Sequence, residues 1–360
     1  HPATIVQRLA DNRLWQGWSS ILQAKWCDAP IAIAVCNATA ALGCLVPVAM
    51  RVTAVAAMAS GLVHTLASAN APPRYSITTA SAQSMQVAAL VAIETLLQHT
   101  QHRHHALSLA AATAALPVPP PVPAFASASP SGSMARALLA ADIVPQLTAA
   151  VDRAPCHVSI VQHVVHVLET LCKEDTAMCT TAMHGTQSMA RLCKVVHDHH
   201  SQHYDIASGL CSILAVFLAR CPVVHADAWA AIRVAHRAIK HHVRDEYIAG
   251  FACIVLRLAL QGLSEGGDAV PPPSSGDTKA GLRTSVTTTV RALRTVSTKH
   301  GKHVHVQYLA CRALLAVVLL PVAMTLPAPK ALAISPRALP ESSTTLSTAI
   351  KPLTSSSATP

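Results

Sequence analysis

Three stretches of the chain decide its fold: His200-SQHYDIASGL-Cys211-SILAVFL, His242-VRDEYIAGFA-Cys253-IVLRLAL and His300-GKHVHVQYLA-Cys311-RALLAVV. In each, a His precedes a Cys by eleven residues, and a Leu (Leu214, Leu256 or Leu314) follows the Cys three residues later. The step from Cys211 to Cys253 is 42 residues. The step from Cys253 to Cys311 is 58, which is 42 plus a 16-residue insertion, the length of the Gly/Pro/Ser-rich run Gly262–Asp277. A fixed beat of this length marks an array of helical units, none of which can bury its apolar face alone.

Working outward, Val165 and Leu168 take the Cys and Leu roles 46 residues before Cys211. Leu90, Ile93 and Leu97 repeat the pattern again, and Ala29–Leu45 is a weaker copy. Shorter amphipathic segments precede the long ones: Ala135–Val151, Thr186–Asp198, Asp227–Lys240 and Leu282–Thr298, each expected as one helix. Glu174–Gly185 reads as a short lead-in helix closing at a Gly C-cap. The acidic clusters after Lys173 and Arg244 read as helix starts, where carboxylates complement the helix dipole.

The composition agrees. The 360 residues are 51% hydrophobic but only 3% aromatic and 12% charged, which excludes wholesale disorder. Abundant Ala and only 13 Gly favour helix over sheet. The 11 cysteines contain no C-x-x-C pair, and most lie in apolar helical runs, where a free thiol acts as a small hydrophobe. That usage points to a reducing compartment, the cytoplasm, with nuclear or cytoskeletal association as further settings. The net charge of +10 is concentrated: from Lys279 to Lys351 stand ten basic residues against Glu341 alone, which is +9 and leaves +1 for residues 1–278.

Proline and serine mark the breaks. They divide the chain into residues 1–115 (about two repeats), a Pro/Ser-rich linker 116–133, residues 134–322 (about four repeats with a loop insertion at 262–278) and a flexible Pro/Ser/Thr-rich tail at 323–360. Two 22-residue runs without formal charge, Ala29–Met50 and Val52–Pro73, are long enough to cross a bilayer. A membrane protein with helices at 29–50 and 52–73 is therefore a third reading. The runs lack clear aromatic belts and match the repeated helix pattern.

The stretch LLAADIVPQLTAAV, followed by VQHVVHVLETLCKEDTAMCTTAMHGTQSMARLCKVV, resembles an armadillo repeat. The resemblance covers roughly residues 3–320 and implies an all-α fold, a right-handed armadillo-type α-solenoid of about six helical repeats with a disordered C-terminal tail. It also implies a non-catalytic scaffold that holds a protein partner along the concave groove of the long third helices. In nuclear-import relatives, Trp and Asn recur at two exposed groove positions. Here those positions hold His166 and Thr170, Ser212 and Val216, Ile254 and Leu258, Arg312 and Ala316. With no Trp or Asn among them, recognition of nuclear signals is rejected. The groove expected from His166, Thr170, Ser212, Val216, Ile254, Leu258 and Arg312 is mixed and partly apolar, suited to a hydrophobic partner helix.

A rival function class is nucleic-acid or anionic-surface binding through Arg283, Arg291, Arg294, Lys299 and Lys302, a basic stripe that lacks aromatic stacking residues. Histidine is abundant, with 21 copies clustered at His99, His102, His104 and His105, at His197, His199, His200 and His203, and around His242 and His300. Neutral imidazoles bind zinc. These clusters, however, fall at helix ends and turns, and His200, His242 and His300 recur as a shared turn would. No metal and no cofactor is assigned; a surface charging below about pH 6 is the other reading. No nucleophile elbow, phosphate loop, metalloprotease or dinucleotide motif occurs, so no catalytic residue and no small-molecule substrate is expected.

Overall fold

The computed structural model describes residues 12–24, 28–43, 48–71, 78–97, 130–265 and 277–325, and every regular element among them is helical. The helices are α1 (Asn12–Gln23), α2 (Ala29–Gly43), α3 (Val48–Asn70), α4 (Thr79–Leu97), α5 (Pro130–Ala140), α6 (Ile143–Arg153) and α7 (Val158–Glu174). There follow α8 (Thr176–Gly185), α9 (Ser188–Val195), α10 (Tyr204–Arg220), α11 (His225–His242), α12 (Glu246–Glu265), α13 (Asp277–Lys299) and α14 (Val304–Thr325). A π-helical turn, Val196–His200, continues α9.

The helices pack as two series. The apolar helices α2, α4, α7, α10, α12 and α14 each lie against the next of their kind, as do α1, α3, α6, α9, α11 and α13. Of the positions that set the beat, Leu90, Ile93, Val165, Leu168, Cys211, Leu214, Cys253 and Leu256 are buried, while on α14 Leu314 is half-buried and Cys311 exposed. Each buried Leu, Ile or Val among them contributes about 1.5–3 kcal/mol by leaving water. The core is filled mainly by Ala, Leu, Val and Ile, with Cys as a smaller contributor and Trp15, Phe217 and Phe251 its largest members. Helices on both sides of the 116–133 break join one packed unit, His1–Thr325. Asn70 at the end of α3 accepts from Gln86 Nε2 at 2.7 Å, donates to the Gln146 carbonyl at 2.9 Å and, through its own carbonyl, accepts from Arg153 at 3.1 Å.

The turns repeat as closely as the helices. Before α7, α10, α12 and α14, the backbone closes the same three-residue turn: His157 N–H to Ala154, His203 to His200, Asp245 to His242 and His303 to His300, all at 2.9–3.0 Å. The recurrent histidine has a role in this turn. His200 Nε2–H donates to the Pro155 carbonyl at 2.6 Å, His242 to Ser201 at 3.3 Å and His300 to Val243 at 2.6 Å. Each acceptor is the second residue of the preceding turn, so three imidazoles tie four turns in sequence. Stacked turns expel water from these carbonyls, and a buried carbonyl without a donor is costly.

Several boundaries depart from expectation. The segment Ala135–Val151 is two helices, because Asp142 adopts a left-handed conformation (φ 57°) between α5 and α6. Its counterpart, Gln187 (φ 52°), separates α8 from α9; Gly185 stays helical and is not the left-handed residue. Asp142 and Gln187 are 45 residues apart, whereas the turn residues Ala154 and His200 are 46 apart. The extra residue is taken up by the π-helical turn, the usual way a helix absorbs a single insertion. The first uncharged run divides: α2 stops at Gly43 and α3 begins after Pro47, then runs through Arg51 to Asn70. The two described helices long and apolar enough to cross a membrane are instead Thr79–Leu97 and Glu246–Ser264, and 56% and 67% of these stretches are buried against neighbours. Helix α5 starts at Pro130, inside the expected linker, with proline at a helix start where its missing N–H costs nothing. Helix α14 continues to Thr325, past the expected start of the tail at 323; residues 326–360 lie outside the described residues, as do most of 116–133 and 266–276 of the insertion.

The buried imidazoles make stability depend on pH. Burial lowers the pKa of His200, whose Nδ1 is buried with no hydrogen-bond partner among the described residues. Burial also lowers His236 to about 4, where its Nε2 meets Thr289 Oγ1 at 2.9 Å between α11 and α13. Both rings are neutral in the folded chain and protonate near pH 6.5 when it unfolds. The contribution of His236 is thus complete above about pH 6.5 and is lost as pH falls towards 4, by roughly 1–3 kcal/mol, and that of His200 falls in the same direction. Chemical denaturation measured from pH 7.5 to 4 should show this decline. His236→Gln, which retains a donor for Thr289, should flatten it; an unchanged slope would refute the assignment.

Candidate functional site

A cleft of about 600 Å³ lies across consecutive long helices. Glu94 enters from α4; Gln162, His163, Val165, His166, Glu169 and Lys173 from α7; Tyr204, Asp205, Ser208 and Gly209 from α10; and Tyr247 from α12. The stacking of these helices places them side by side. Glu94 and Glu169 occupy the same place in their repeats, within Ile93-Glu94-Thr95-Leu96 and Leu168-Glu169-Thr170-Leu171. Each is an acid flanked by apolar residues near the end of a long helix.

The cleft is polar and internally braced. His163 Nδ1–H donates to Glu94 Oε2 at 2.5 Å, and His166 Nε2 stands 3.7 Å from the other oxygen. Lys173 pairs with Glu169 at 3.0 Å, and Gln162 Nε2 donates to Asp205 at 3.2 Å. Tyr204 donates to Asp245 Oδ2 at 3.3 Å; its partial burial, then the neighbouring Asp245, raise its pKa. Burial pushes the Tyr247 phenol up to about 12. Three carboxylates against one lysine give the lining a negative balance in a chain whose net charge is +10.

Of the groove residues carried over from the armadillo resemblance, His166 lines this cleft. Thr170, Ser212 and Ile254 are buried, and Thr170 hydrogen-bonds the His166 carbonyl at 2.9 Å. Val216 and Leu258 are half-buried. Arg312 is half-buried on α14, its guanidinium 5.8 Å from the centre of the Tyr308 ring. The structure therefore brings together the positions around and before His166 on α7, with the first turns of α10 and α12, and leaves the later positions buried or half-buried outside the cleft. The signal for Glu94 and Glu169 was present: an acid inside an apolar helix at a repeated position. The signal for Tyr204 and Asp205 was weak, since a tyrosine and an acid at a helix start suit any solvated end.

The other sequence candidates fall elsewhere. Arg291, Arg294, Lys299 and Lys302 are exposed on α13 and the turn after it, while the side chain of Arg283 lies outside the described residues. His99, His102, His104 and His105 are also outside them. Among the described residues, no three His, Cys, Asp or Glu side chains are grouped to hold a metal ion. Asp175 caps α8, accepting from Met178 N–H at 3.1 Å, and Asp245 caps α12, accepting from Ile248 N–H at 2.8 Å, as expected of helix starts. The Arg136 guanidinium at 2.8 Å, and then the Met178 N–H, hold the Asp175 carboxyl below its ordinary value. Burial raises the thiols of Cys211 and Cys253 to about 12, and Cys172, beside the Cys179 thiol at 3.3 Å, is raised as well.

Comparison with protein-family models, curated proteins and solved structures gives no match. The cleft must be read from its own chemistry.

Its floor depends on one close approach. A Cβ on Gly209 would lie 2.6 Å from Val165 Cγ1. Gly209→Ala should force α10 away from α7, lowering stability by about 1–3 kcal/mol. Thermal denaturation monitored at 222 nm tests this; a variant as stable as wild type would show that the two helices do not meet as described.

Proposed function

We propose that this chain is a non-catalytic scaffold, a right-handed armadillo-type solenoid that holds an extended segment of a protein partner across its long helices. The reading is supported by the two helix series, by the turn imidazoles that recur with the beat, and above all by the acidic cleft shared by α4, α7, α10 and α12. A groove that passes from one repeat to the next suits a ligand of the same extent, a polypeptide strand, better than a compact small molecule. Surplus carboxylates beside two tyrosine rings favour Lys or Arg on that segment, through charge-assisted hydrogen bonds and cation–π contact. Capture would rest on Glu94, Glu169, Asp205, Tyr204 and Tyr247, without the Trp/Asn ladder of the nuclear-import relatives. A non-catalytic role fits a cleft whose carboxylates are already engaged by His163, Lys173 and Gln162, and cysteines held as thiols. A reducing, cytoplasmic setting fits the cysteine usage.

Nucleic-acid or anionic-surface binding is the second reading, favoured by the exposure of Arg291, Arg294, Lys299 and Lys302 at one end of α13. Fluorescence anisotropy with labelled Lys/Arg-rich decapeptides, Asp/Glu-rich decapeptides and duplex DNA separates the two. The scaffold reading expects the basic peptides to bind and Asp205→Lys to weaken them about tenfold, ~1.4 kcal/mol. Binding of DNA alone, with steep loss as salt rises, would replace it with the second reading. Basic-peptide binding indifferent to Asp205→Lys would remove the cleft from the account.

A further inference from the structure

Two thiols meet where α7 turns into α8. A single residue, Asp175, separates these helices, and it is fixed from both sides. Its N–H donates to the Leu171 carbonyl at 2.9 Å, its carboxylate accepts from Met178 N–H at 3.1 Å, and Arg136 of α5 donates to that carboxylate at 2.8 Å. Thr176 Oγ1 donates back to the Cys172 carbonyl at 2.7 Å. A corner braced in this way sets the last turn of α7 against α8 and brings Cys172 Sγ to 3.3 Å from Cys179 Sγ. Both side chains are buried, at 2% and 0% exposure.

This contact differs from the other buried cysteines. At Cys211 and Cys253 burial alone raises the thiol, as befits a small hydrophobe sealed in a core. At Cys172 the hydrogen bond with Cys179 comes first, and burial second. A third thiol, the half-buried Cys221, is near enough to act electrostatically on both, with its own Sγ–H on the Thr180 carbonyl at 3.6 Å.

We propose that Cys172 and Cys179 form a reversible dithiol–disulfide pair, which fastens α8 to the end of α7 when the chain meets a low-molecular-weight disulfide such as oxidised glutathione. An S–S bond is about 2.0 Å long, so sulfurs now 3.3 Å apart need to close by only ~1.3 Å. Ten residues are too few to hold a helix in water unaided, so α8 keeps its form by packing, while Ala177, Met178 and Thr181 on its outer side are exposed. Lifting α8 uncovers Cys179, which it carries, and Cys172, against which Cys179 rests. One sulfur attacks the small disulfide and releases the first thiol; the other sulfur then displaces the second. The pair gives up two electrons and two protons, and the small disulfide takes them up as two thiols. In a reducing setting the dithiol is the resting form, and transient bridges are how such settings register oxidation.

The full chain, equilibrated in glutathione buffers of rising oxidised fraction, quenched with N-ethylmaleimide and digested with trypsin, tests this by mass spectrometry. Cleavage after Arg153, Lys173 and Arg191 puts Cys172 and Cys179 on separate peptides, 154–173 and 174–191, and Cys156→Ser removes the other thiol of the first. These two peptides should emerge linked, and dithiothreitol should part them. The link should survive Cys221→Ala and be absent from Cys179→Ala. Once bridged, the amides of α8 should exchange hydrogen at least ~10-fold more slowly. Free thiols at 172 and 179, in buffers that have already converted the exposed Cys311 to its glutathione adduct, would overturn the proposal. So would a link from 174–191 to the Cys221 peptide in place of this one, or α8 exchange that the bridge leaves unchanged.

Discussion

Each long helix in this chain hides its apolar sides on the neighbouring helices of its own series and on the paired helix of the other. The rest of the structure follows from that constraint. Helices that are apolar on several sides must approach closely on several sides, so their contacts are filled by Ala, Leu, Val, Ile and Cys, with few rings. The clearest instance is Gly209 against Val165, where no side chain fits between α10 and α7. The same burial turns cysteine into a packing residue: Cys193, Cys211 and Cys253 are sealed among apolar neighbours, and their thiols ionise far less readily than free cysteine.

Close stacking creates a second problem at the turns, where backbone carbonyls lose water. Imidazoles from the following turn replace it. At His200, His242 and His300 it is Nε2–H that donates to the carbonyl of the preceding turn. The histidine abundance that invites a metal reading in the sequence is, at these three positions, part of the backbone hydrogen-bonding of the fold. At His200, whose pKa burial lowers, acid acts on a joint between units.

The beat, the long helices and the recurrent turn histidine were legible because each leaves a residue of fixed type at a fixed interval. The left-handed joints were not. Asp142 and Gln187 carry no glycine signal, and both lie inside runs that read as a single amphipathic helix or as its start. The π-helical turn at Val196–His200 was hidden for a related reason: a one-residue slip between two repeats looks like ordinary variation until the flanking joints are fixed. The cleft was half legible. Glu94 and Glu169 stand out as acids in apolar runs, but His163 meets Glu94 across 69 residues of sequence, and only the stacking of α4 on α7 brings them together. Of the positions carried over from the armadillo resemblance, His166 lines the cleft. Thr170, Ser212 and Ile254 on the same helices turn into the core.

The cleft and the outer face of α14 are two consequences of one arrangement. Where successive helices meet with acids at the same repeated position, their edges form a polar trough; where the last described helix meets none, the packing surface is left bare. Both depend on equal steps between units. Spin labels placed at Cys156, Gln202, Arg244 and Lys302, the same position in four consecutive turns, measure those steps directly once Cys311 is replaced by serine. With helices packed 8–10 Å apart, labels two units apart should lie about 20 Å from each other, and Cys156 and Lys302, three units apart, about 30 Å. A Cys156–Lys302 distance no longer than that between Cys156 and Arg244 would mean that the units do not follow one another in line, and would contradict the account.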